Sequence, residues 1–202
     1  MLIFICFALQ LVLLLAINFF IVIINPSTYM EKMILIESIT MLVFFVFIFG
    51  WRTPLKLKTK ISTKNYIAFI MIGIGMCLFH RIIFIIFPQI SLNLYQEIGI
   101  EGYKNTFSIW KNPVTFIYTS FLGPILEEVF YRGKILEASL EKHKPLYAII
   151  ISSALFAIVH NNPVQFVSAL CLGILCGYVY TLTRDIKAPI VIHVANNFYV
   201  SA

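Results

Sequence analysis

From Leu2 to Ile24 the chain runs without a charged residue, enough apolar sequence for the roughly 20-residue helix that crosses about 30 Å of hydrocarbon. Lipid offers the backbone no hydrogen-bond partners, so such a segment has to satisfy its own N–H and C=O groups by forming a helix. Met33 to Gly50 is a marginal second span that carries Glu37, and Tyr66 to Phe87 qualifies as a third despite His80 and Arg81. After Pro88 a mixed connector with Glu97, Glu101, Lys104 and Lys111 reads as an interfacial helix or surface loop. The apolar pattern resumes over Val114 to Gly133, Leu146 to His160, Pro163 to Thr183, and Ala188 to the C-terminus. The expected fold is therefore an all-α, polytopic integral membrane helical bundle of about six or seven segments. Two of the last four are short, which predicts helices shielded by protein rather than facing lipid. The chain divides into N-terminal segments and connector over 1–110 and a core over 111–202.

Composition narrows the classes further. With 60% hydrophobic and 12% charged residues, the chain has too little polar surface for a soluble globule, a secreted disulfide scaffold, a disordered tail or a soluble DNA-binding domain. The net charge of +6 lies mostly in short loops. If the 51–65 loop is cytoplasmic, Arg52, Lys56, Lys58, Lys60, Lys64, Lys134, Lys142, Lys144, Arg184 and Lys187 lie inside, against Lys32, Lys104 and Lys111 outside. This asymmetry predicts a cytoplasmic N-terminus and explains the charge through the bilayer, without a nucleic-acid partner. Cys6, Cys77, Cys171 and Cys176 all lie in apolar stretches without metal-ligand spacing and read as buried small hydrophobes. Met1 leads straight into apolar sequence, which predicts an anchor rather than a removable signal.

Charge inside a span is costly, at least about 2.5–3.5 kcal/mol on insertion scales, and calls for a partner or a function. The second half concentrates it: FLGPILEEVFYRG carries Glu127, Glu128 and Arg132, FAIVH ends at His160, and HVANN carries His193 and Asn197. Glu128 and Arg132, four apart, share a helix face and can pair. Glu127 is turned about 100° away, which leaves a carboxylate free to act as a general base, with His160 sharing its proton. His193 and Asn197, also four apart, can aim two donors at one point. Each element also has a structural reading: an ion pair, an interfacial histidine, an interhelical hydrogen bond. Together they form the parts list for hydrolysis.

EEVFYR, FAIVH and HVANN match, in order, the E-E-x-x-x-R, F-x-x-x-H and H-x-x-x-N motifs of the CPBP intramembrane protease family, which unites CAAX prenyl proteases with bacteriocin-processing and self-immunity proteins. The resemblance covers about Lys111 to Ala202. It implies that Glu127 and His160 activate water, that His193 and Asn197 stabilise the tetrahedral oxyanion, and that Glu128 and Arg132 support them. Members are described both as zinc metalloproteases and as metal-free glutamate proteases. Two histidines and a glutamate could form a three-ligand zinc site, but there is no H-E-x-x-H pair, and the metal-free form is preferred. Other intramembrane proteases fail by inventory: Asp185 is the only aspartate, and no serine has G-x-S-x-G context.

The expected activity is endopeptidase cleavage of a membrane-associated peptide or protein at or within the bilayer. Richness in Ile, Lys, Phe and Asn suggests an AT-rich bacterial genome and a multi-pass plasma-membrane protein, which favours leader, signalling or bacteriocin peptides or self-immunity over prenylated CAAX substrates. The rivals are a non-enzymatic immunity or scaffold protein and a small proton-coupled transporter using Glu127. Oligomeric state is left open.

Three further readings concern packing. Ala169, Gly173 and Gly177 recur every four residues, a spacing that lets helices approach closely. Pro124 should free a backbone carbonyl near the site. Arg81 should snorkel outward or meet Glu37, and His143 should be solvated. Measured from the expected cytoplasmic edge at about 1.5 Å per residue, Glu127 lies about 10–13 Å deep, His193 about 6–8 Å and His160 about 22 Å. Bringing them together requires short segments that start deeper or tilt, or ends displaced by a few residues.

Overall fold

The computed structural model describes Lys56 and residues 62–86, 113–160 and 163–201. All of them fall in one compact unit, Pro54–Ala202. The first two expected spans, Glu37, Cys6 and the connector after Pro88 lie outside the described residues.

Every described element is helical. Helix α1 runs from Thr63 to Ile86, with the Ser62 hydroxyl oxygen accepting the Asn65 N–H at 3.4 Å as an N-cap. The next helix is continuous but mixed: α2 (Pro113–Ile117), a π turn (Tyr118–Leu122), α3 (Gly123–Phe130), a second π turn (Tyr131–Leu136) and α4 (Glu137–Leu140). Then follow α5 (Pro145–Ile158), α6 (Pro163–Thr183) and α7 (Lys187–Ser201). The long helix, α5 and α6 each start on a proline, whose fixed φ suits the first helical position and whose missing N–H would be unpaired there anyway. Lys144, before Pro145, is accordingly extended. Helix α6 stops at Arg184, a non-glycine residue at φ 53°. That left-handed conformation is held by an ion pair from the Arg184 guanidinium to Glu137 at 3.1 Å.

Two apolar cores join these helices. Phe69 of α1, Leu172, Cys176 and Val179 of α6, and Ala188 and Ile192 of α7 form one. Leu136, Ala148, Ile149, Tyr180 and Ile186 form the other, where the end of the long helix meets α5 and α6. The small residues of α6 face α5, as their spacing predicts: a side chain at Gly173 would meet Ser153 at about 3.0 Å, and one at Gly177 would meet Ile149 at 3.1 Å. Gly73 is tighter still, since a Cβ there would lie on Ile192 O and 2.8 Å from Ala195 Cβ. The backbones of α1 and α7 therefore touch. Outside the cores the helices expose large apolar side chains such as Ile67, Met71, Ile85, Leu146, Val167 and Leu182, a surface suited to lipid. Two described helices, over Thr63–Ile82 and Gln165–Thr183, are long and apolar enough to cross a membrane.

One expectation changes. The fourth segment does not end at Gly133 but continues to Leu140, and Lys134 is a buried helical residue rather than part of a cytoplasmic loop. Arg81 lies over the ring of Tyr199, 5.4 Å from its centroid, so α7 supplies the partner for its charge. Asp185 caps the start of α7, its Oδ1 accepting the Lys187 N–H at 3.0 Å. His143 is exposed, as expected.

The longer fourth segment reconciles the depths. From Leu140, Glu127 lies about 20 Å along its helix, close to the about 22 Å from Pro145 to His160. Helix α7 starts deeper: Arg184 is level with Glu137 and His193 with Glu128, and each pair is nine residues on from the other.

Candidate active site

The two π turns bracket α3 and its carboxylates. In the first turn the Gly123 N–H reaches back to Tyr118 O. Pro124 has no N–H with which to continue that register to Thr119 O. This carbonyl instead accepts the side-chain amide of Asn197 at 3.0 Å. The carbonyl release expected of Pro124 is thus realised, and its acceptor oxygen is used by α7. π insertions of this kind recur at functional sites because they re-aim side chains within a helix.

Glu128 and Arg132 are both fully buried and pair at 2.9 Å, Nη1 donating to Oε1. Arg132 Nη2 donates to Gly173 O at 3.0 Å, and its guanidinium lies 4.9 Å from the Phe156 ring centroid. The close approach permitted by Gly173 thus also supplies an acceptor. The same Glu128 oxygen receives His193 Nδ1 at 2.8 Å. A carboxylate only accepts, so Nδ1 carries the proton and Nε2 is the nitrogen turned toward Glu127. His193 Nε2 lies 3.6 Å from Glu127 Oε2, beyond direct hydrogen bonding. Glu127 keeps 20% of its side-chain surface exposed, whereas His193 keeps 3%. Of the two adjacent glutamates one is sealed in the protein and the other is reachable.

His160 follows the end of α5. Its Nδ1 donates to Phe156 O at 3.0 Å, which leaves Nε2 with the lone pair. Glu127 and His193 both act on it electrostatically. Phe156 joins the two imidazoles edge-on, with centroids 5.1 Å from His160 and 5.6 Å from His193, and it packs on Tyr131 at 5.1 Å. The structure therefore gathers Glu127, Glu128, Arg132, His160 and His193. Asn197 lies one turn beyond His193 along α7 and gives an N–H to Thr119 O. Phe156 was legible only as a motif letter. Its aromatic contacts are long-range, and only its i, i+4 spacing to His160 hinted at them.

The zinc alternative can be tested on the donors themselves. Among the described residues, no group of three or more His, Cys, Asp or Glu side chains is disposed to hold a metal ion. No step below runs through a metal.

Comparison with known proteins agrees with the motifs. The family described as Type II CAAX prenyl endopeptidase Rce1-like matches residues 109–199. The protein named "Putative membrane peptidase YdiL" from Bacillus subtilis (strain 168) is 35% identical over 88 residues, covering 44% of this chain and 36% of that protein. The protein named "Membrane-embedded CAAX protease MroQ" from Staphylococcus aureus (strain USA300) is 26% identical over 159 residues, covering 73% of this chain and 62% of that one. The chain thus spans less than two thirds of the length of either relative. No solved structure matches it.

Proposed function

Because residues 109–199 match the family described as Type II CAAX prenyl endopeptidase Rce1-like, we propose that the chain is an intramembrane endopeptidase that hydrolyses a peptide bond by a glutamate-based, metal-free mechanism. The observation that carries this reading is the division of labour between adjacent glutamates: Glu128 is buried and holds both Arg132 and His193, while Glu127 is the partly exposed carboxylate facing the other side of the same imidazole. A single carboxylate could be structural. A second one, reachable and beside two histidines, is what water activation requires.

In the proposed reaction, water gives a proton to Glu127, assisted by the lone pair on His160 Nε2, as its oxygen attacks the scissile carbonyl. The oxyanion accepts N–H groups from His193 Nε2 and from Asn197. For His193 to donate there it must be the imidazolium, since Nδ1 already donates to Glu128, and two carboxylates flank that charge. Collapse breaks the C–N bond, and the proton held by Glu127 passes to the leaving amine. Glu128 and Arg132 act through His193 and keep its tautomer and angle fixed. The substrate is a membrane-associated bacterial leader, signalling or bacteriocin peptide in preference to a prenylated CAAX protein, processed by a multi-pass plasma-membrane protein with its N-terminus in the cytoplasm.

Peptidomics on cells making either the wild-type protein or Glu127→Gln tests the reading. New peptide termini without prenyl groups, present only with the wild type and insensitive to chelation in isolated membranes, are expected. Identical peptidomes would refute the endopeptidase reading. New termini confined to prenylated C-termini, or chelation-sensitive cleavage restored by zinc, would overturn the substrate class or the metal-free mechanism.

A further inference from the structure

The resemblance assigns a role to Asn197 and says nothing of Asn196 beside it. Asn196 is buried in α7 where that helix touches α1, and a Cβ on Gly73 would come within 3.1 Å of its backbone nitrogen. Its Nδ2 donates to Asn197 Oδ1 at 3.1 Å, and Asn197 Nδ2 donates in turn to Thr119 O at 3.0 Å. Asn196 Oδ1 has no hydrogen-bond partner among the described residues.

A primary amide presents an acceptor at one end and donors at the other, and the two ends have nearly the same shape. An asparagine that serves as an oxyanion donor needs its nitrogen end forward, and in a buried setting the wrong orientation puts a carbonyl against the developing charge. The two hydrogen bonds give this pair a fixed polarity. Thr119 O can only accept and so attracts the Asn197 nitrogen. The Asn196 N–H can only donate and so occupies the Asn197 oxygen. Thr119 sits in a π turn of the long helix, whereas Asn196 is buried where α7 packs closely on α1. When the Asn197 nitrogen turns from Thr119 O to a reacting carbonyl, the bond from Asn196 still fixes which end of the amide is offered.

We propose that Asn196 is a positioning residue for the oxyanion donor Asn197: it holds the Asn197 carbonyl oxygen and thereby keeps the amide nitrogen as the end that is offered to the reacting centre. The inference rests on the hydrolytic reading of this site. Its acceptor end is left without a partner, a cost of burial that the donor end offsets.

Asn196→Asp keeps the size of the side chain and removes the donor. It is tested in proteoliposomes on an internally quenched apolar peptide spanning a cleavage junction found by peptidomics, alone and with Asn197→Ala. In parallel, the side-chain amide resonances of Asn197 are read in protein labelled with 15N-asparagine and assigned by their loss in Asn197→Ala. The expected result is a kcat about tenfold lower with KM within twofold, no further loss in the Asn197→Ala background, and a displaced Asn197 amide pair. A kcat within twofold of wild type, an equal loss in the Asn197→Ala background, or an unmoved amide pair would overturn the assignment. If Glu127→Gln cleaves as fast as wild type, the hydrolytic reading itself fails, and the amide resonances still decide whether Asn196 holds Asn197.

Discussion

Glu128→Gln keeps the shape of the buried glutamate and removes its charge, and the structure sets the size of the effect. Glu128 Oε1 takes two donors, Arg132 Nη1 at 2.9 Å and His193 Nδ1 at 2.8 Å, and neither member of the Glu128–Arg132 pair is exposed to solvent that could screen it. Neutralising one side leaves a guanidinium inside the protein with Gly173 O and the Phe156 ring as its remaining described contacts. Breaking a buried pair by removing one partner costs about 3–5 kcal/mol, because the surviving charge is uncompensated. At about 2–4 °C per kcal/mol for a chain of this size, the melting temperature should fall by about 6–20 °C. The buried thiols of Cys77 and Cys176 provide the assay, since unfolding in detergent exposes them to a thiol-reactive dye. Adding Arg132→Met removes the stranded charge and keeps the apolar stem, so the double variant should recover more than half of the loss. A Glu128→Gln protein melting within about 2 °C of wild type, or a double variant that falls by the sum of the single effects, would refute the reasoning.

Gly73→Ala should destabilise by about 2 kcal/mol or more through the clash with Ile192 and Ala195, whereas Gly75→Ala, with nothing within 4 Å, should be neutral or stabilise by up to about 1 kcal/mol; the same dye-based melts compare the two. Phe156→Leu keeps apolar volume but loses ring contacts to Arg132, His160 and His193, so a loss of about 2–3 kcal/mol is expected, and the imidazole resonances of both histidines should shift together in NMR spectra. Asp185→Ala removes the cap on Lys187 and should cost about 1 kcal/mol, read as a lower melting temperature that Asp185→Asn largely restores.

The parts of the site that were legible in the sequence are those whose geometry is local. Four-residue spacing placed Arg132 on Glu128 and turned Glu127 away, and the structure has both features. Proline chemistry announced the released carbonyl near Glu127, and the small-residue spacing of α6 announced its approach to α5. The end of the fourth segment was not legible. Arg132 and Lys134 raise its polarity just where the helix enters the second core, so an apolar count reads a buried charged helix as a loop. The π turns were also hidden, because a fifth-residue hydrogen-bond register leaves no distinct apolar period. Contacts between distant helices, such as Arg81 with Tyr199, His193 with Glu128 and Phe156 with both histidines, depend on helix order and tilt that no local pattern encodes.

Initial rates of peptide-bond cleavage by purified wild-type, Glu127→Gln and His160→Ala proteins in proteoliposomes test most directly whether this cluster is a hydrolytic centre. Loss of an acid–base group predicts a kcat lower by about 10²–10⁴ in both variants, with melting temperatures near that of the wild type for Glu127→Gln because its side chain is partly exposed. Undiminished cleavage in both variants at equal protein loading would contradict it.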